Sequence, residues 1–62
     1  MKAKIRITYE LVDDDHAATL FKVSGLLPFA AAVSSNGDLL RLNADQLTRE
    51  FWNSVALMGY TE

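Results

Sequence analysis

The chain has 62 residues, half of them apolar, with no cysteine, one histidine and a formal charge of −2. At this length folding buries only about 60% of the surface that the unfolded chain exposes, and without cysteine neither a disulfide nor a Cys-based zinc site can compensate. A partner or a second copy of the chain would help. The balance of 50% hydrophobic and 23% charged residues excludes a disordered tail. The first five residues lack the apolar core of a signal peptide, and the longest mostly apolar stretch, residues 26–33, is far short of the ~18 residues that a membrane span needs. These features lead us to expect one compact domain over residues 1–62, cytoplasmic and without membrane contact.

The first element is a strand. Ala3, Ile5, Ile7, Tyr9 and Leu11 alternate with Lys4, Arg6, Thr8 and Glu10, a period of two with one apolar and one wet face. The segment that follows, residues 13–24, is expected to be helical. Asp13 would cap it, Asp14 and Asp15 would favour its positive end, and Gly25 would close it in the left-handed conformation, with Leu26 against Phe21. The alternative is a strand over 18–24, although the adjacent Leu20 and Phe21 break its alternation.

Residues 26–28 then read as a connector ending on proline. Asn36-Gly37 is the preferred pair for a two-residue hairpin turn, because both positions need positive φ. A hairpin from Phe29 to Leu42 would pair Ser35 with Asp38, Val33 with Leu40 and Ala31 with Leu42. The last element is a helix capped by Asn43 with Gln46 three residues on, stopped by Gly59, and striped by Ala44, Leu47, Phe51, Val55 and Met58. The expected fold is therefore α+β in the order β-α-β-β-α, a three-stranded, largely antiparallel sheet covered on one face by helices. With residues 18–24 extended, it becomes ββββα.

Chemistry-bearing residues are sparse. His16 is the one side chain whose ordinary pKa lies near neutrality, but no nucleophile motif or glycine-rich phosphate loop accompanies it, so no catalytic residue is assigned. The aspartate run lacks the alternating ligands and distal Glu of a calcium loop; neither a metal nor another cofactor is expected. Three groups remain for recognition. Glu10, Asp13, Asp14 and Asp15 form an acidic cluster suited to a basic partner. Trp52 lies off the helical stripe beside Ala56, and with Leu39 it would serve partner binding or self-association, unless Tyr60 or the first helix covers it. Lys2, Lys4, Arg6 and Arg41 would form a basic face able to meet phosphates, though without stacking aromatics.

The expected function is a non-enzymatic protein-binding module, in the style of an inhibitor from a phage or other mobile element that blocks a larger host protein or defence complex. Its partner would be that larger protein or complex, with a homodimer as a further association. The alternative is a small homo-oligomeric nucleic-acid-binding regulator that uses the basic face of the first strand.

Overall fold

A computed structural model describes residues 2–59. Strand β1 (Lys4–Val12) and strand β2 (Thr19–Pro28) form an antiparallel hairpin, followed by a short helix α1 (Phe29–Ser34) and a long helix α2 (Asp38–Met58). The order is β-β-α-α. The three-stranded β-α-β-β-α arrangement is thereby overturned, as is its four-stranded variant.

β1 forms as its alternation dictates. Ile5, Ile7, Tyr9 and Leu11 point inward and face Leu27, Gly25, Val23 and Phe21 of β2. β2 stands where a helix was expected. Its own alternation is sound from Phe21 onward, but Val12 pairs with Thr19 while Leu11 pairs with Phe21, so Leu20 is an extra residue in the ladder. That bulge puts two large apolar residues side by side and hides the period of two. Asp13 uses its capping chemistry on a turn instead: its Oδ1 accepts from the amides of Asp15 at 2.9 Å and His16 at 3.4 Å. Gly25 is a mid-strand residue without positive φ, so it stops no helix. Pro28 ends β2 opposite Lys4, and residues 26–28 belong to the strand rather than to a connector.

The Phe29–Leu42 hairpin is also overturned, and its cause is local. Asn36 and Gly37 do adopt positive φ, at 56° and 86°. Here they close a helix: the amides of Asn36 and Gly37 donate to the carbonyls of Val33 and Ala32 at 3.0 and 2.9 Å. The three alanines before the turn favour helix over strand. Beyond the turn, Leu40 falls one heptad before Leu47, so residues 38–42 extend the final helix by more than a turn. Asn43 and Gln46 therefore lie inside α2, and the Ser35 hydroxyl receives the Leu39 amide at its start. Gly59 ends α2 in the left-handed conformation, with φ of 76°, as expected.

The core is one helix on one hairpin. Leu27, Ala32, Leu47 and Val55 are buried, whereas Met58, at the end of the expected stripe, is 53% exposed. Phe51 lies between Phe21, on which it stacks, and Tyr9, to which its ring is tilted, at centroid distances of 5.6 and 5.9 Å. Among the described residues no large side chain is fully buried, and the molecule measures 40 × 21 × 12 Å. No helix among them is long and apolar enough to cross a membrane.

Candidate functional site

The outer face of the hairpin is built by the residues that alternation turns away from α2. Register sets Lys4 opposite Pro28, Arg6 opposite Leu26, Thr8 opposite Ser24 and Glu10 opposite Lys22. Three cations, one carboxylate and two hydroxyl residues thus share a flat, exposed surface. A shallow depression of ≈ 390 Å³ lies between Arg6, Thr8, Lys22 and Ser24. Lys2 is exposed just before β1, where it and Lys4 border a second depression beside Phe29.

Arg41 does not join this face. It sits on α2, in the other layer, because the segment that carries it is helical. Lys22 and Ser24 take its place, and the alternation of β2 was the signal that could have found them. Leu39 likewise moves from a strand to the first turn of α2, where it is 40% exposed.

The acidic cluster divides in two. Asp13 is half-buried and committed to the β1–β2 turn through its carboxylate, and its backbone exchanges hydrogen bonds of 2.8 Å with Ala17 and Ala18. Glu10 accepts a hydrogen bond from Thr19. Asp14 and Asp15 are left pointing into solvent. His16 Nδ1 lies 3.6 Å from Asp13 Oδ2 with its ring largely exposed, a surface contact at a turn. Among the described residues no three His, Cys, Asp or Glu side chains converge to hold a metal ion.

The two flanks of α2 differ. Toward β2, Asn43, Gln46 and Glu50 rim a groove with Ser24, Gly25 and Leu26. Toward β1, the hydroxyls of Thr48 and Tyr9 meet at 2.9 Å. One turn beyond Thr48 on that flank, Trp52 is 69% exposed, with Ala56 also open to solvent. The first helix does not cover the indole, because the segment expected to supply it is a turn and a strand; Tyr60 lies outside the described residues. Elsewhere Phe29, Val33 and Leu42 are more than half exposed, and Leu57 is 89% exposed.

In comparisons with known proteins, no family model, curated protein or solved structure matches the chain.

Proposed function

We propose that the chain is a small non-enzymatic protein-binding module that acts by covering a surface of a larger protein or complex. The observation that carries this reading is that ten large apolar side chains among the described residues are at 40–89% exposure, spread over both layers of a chain with so small a core. Seven of them lie on the two helices, and four of these, Phe29, Val33, Leu39 and Leu42, fall within eight residues of the Asn36-Gly37 turn that joins the helices. Asp14 and Asp15 add uncommitted negative charge at the opposite end of β2, where they would speed encounter with a basic surface. In its most specific form the proposal is an inhibitor, of the kind carried by phages and other mobile elements, that blocks a host protein or defence complex in the cytoplasm.

Affinity capture with three versions of the chain tests it. The wild type should retain one partner in stoichiometric amount. Val33→Asp with Leu42→Asp should lose it, and Asp14→Lys with Asp15→Lys should bind it more slowly, with greater loss at low salt. No specific partner, or capture indifferent to both double variants, would reject the reading.

A second reading rests on a different observation, the gathering of Lys4, Arg6 and Lys22 on one sheet face with Lys2 at its end. A homo-oligomeric regulator could lay that face along a phosphate backbone. Affinity for single-stranded or duplex nucleic acid should then fall steeply with salt, and Arg6→Ala should reduce the slope by about one. No binding at low salt would remove it.

A further inference from the structure

We infer that the free edge of β1 is a self-association surface, through which two copies join into one four-stranded antiparallel sheet with Trp52 closed in above the seam.

The first support is the amount of surface. The chain exposes 5169 Å², against about 4,000 Å² for a compact monomer of its mass. Its radius of gyration is 14.2 Å, against about 10.5 Å for a compact domain of this length. The excess, roughly 1,200 Å², is more than the ~800 Å² that each partner contributes to an interface of standard size. A second copy on the right surface would bring the molecule back to ordinary compactness.

The backbone identifies that surface. The amide of Phe29 donates to the carbonyl of Ala3 at 2.9 Å, and Pro28, which has no amide hydrogen, stands opposite Lys4. In an antiparallel ladder these two facts fix the parity: the odd residues of β1 turn their main-chain groups toward β2, and Lys4, Arg6, Thr8 and Glu10 turn theirs to the open edge. Up to the bulge, that edge contains neither proline nor glycine. The open edge of β2 is interrupted instead: Pro28 lacks a donor there, and Leu20 bulges at the other end.

The side chains agree with a two-fold at Thr8, the midpoint of Lys4–Val12. Pairing β1 with its own copy about that point sets Thr8 against Thr8, Arg6 against Glu10 and Ile7 against Tyr9. Opposite charges then meet on the outer face and apolar groups on the inner one, both favourable cross-strand combinations. Above the seam, α2 runs closer to β2 than to β1, and Ile5, Ile7, Tyr9 and Leu11 are only half-buried, as are Phe21 and Val23 across the hairpin. With strands about 4.8 Å apart, the two α2 helices would stand about 10–14 Å from each other, somewhat wider than the 8–10 Å of bare helix packing. Trp52 lies on the facing flank and has the bulk to fill the difference.

Mass measurement by light scattering across micromolar to millimolar concentration tests the association, and Trp52, the sole tryptophan, reports its environment. The expected result is a dimer whose fluorescence shifts to the blue as it forms. Because the chain has no cysteine, single introduced thiols locate the seam. Thr8→Cys should oxidise to a cross-linked dimer, whereas Ser24→Cys, its partner across the hairpin on the same face but at the other edge, should not. Trp52→Ala should weaken association by about 30-fold, the loss typical of a buried anchor. Arg6→Glu should abolish it and Glu10→Arg in the same chain should restore it, a rescue that mere misfolding would not show. A monomer at every concentration, cross-linking through Ser24→Cys alone, or failure of the charge swap to rescue would overturn the inference. None of these outcomes bears on capture of a foreign partner through Val33 and Leu42, so the two proposals fail separately.

Discussion

The two flanks of α2 are made by one helix on one hairpin, yet they are finished differently. On the β2 side Leu47 is buried over Gly25, the one inner position of the sheet without a side chain, and polar Asn43, Gln46 and Glu50 rim the contact. On the β1 side the inner residues are large, the helix stands off, and Trp52 stays largely exposed. The space left by Gly25 is where Leu47 seats, so a missing side chain on one strand is the expected cause of the helix lying nearer to β2 than to β1. For a chain this short the lesson is that packing one seam well leaves another open, and the open seam is where the proposed association surface lies.

Substitutions on the two flanks should differ in size accordingly. Leu47→Ala removes a buried side chain from the closed flank and should cost about 2–4 kcal/mol, enough to leave so small a domain largely unfolded by denaturant titration. Trp52→Ala, although it deletes a larger group, should change stability by no more than about 0.5 kcal/mol at dilutions where the chain is monomeric, because the indole is mostly in water. Equal losses at the two positions would contradict the asymmetry. Tyr9→Phe sharpens it further. It deletes the hydroxyl that meets Thr48 and should cost about 0.5–1 kcal/mol, since the bond is exposed and Phe keeps the ring against Phe51.

What the sequence disclosed depended on how many structures each local signal can serve. β1 was legible because its alternation is unbroken and all its duties are local. The stripe of α2 from Ala44 to Val55 and the off-stripe place of Trp52 followed from helical angle alone. Signals that several structures share were misleading. An aspartate before a polar run caps a helix or organises a turn with the same carboxylate bonds, and Asp13 does the second. Asn36-Gly37 supplies two positive-φ residues to a hairpin or to a helix stop, and the alanines before it decide for the stop. Leu20 conceals a strand because a bulge is indistinguishable from a broken period in a single sequence. The candidate surfaces inherit these errors: once residues 38–42 became helical, Arg41 left the basic face, and once 19–28 became a strand, Lys22 entered it.

A pair of substitutions at Gly25 bears most directly on the cause of the asymmetry. Gly25 lies in strand geometry without positive φ, and a Cβ built there would meet Leu47 Cδ1 at 4.0 Å, an ordinary van der Waals contact. Alanine should therefore fit without moving α2, and by narrowing the unfolded ensemble it should raise stability by about 0.4–1 kcal/mol. A β-branched residue has no such room, since its γ-carbons would reach into Leu47, so Gly25→Val should reverse the sign and push the helix toward β1. Denaturant midpoints of the two variants measure the balance. A gain for alanine and a loss for valine would establish that the space left by Gly25 holds α2 over β2. A gain for both would mean that the helix is held off centre by something else, and that the exposure of the β1 flank has a different origin.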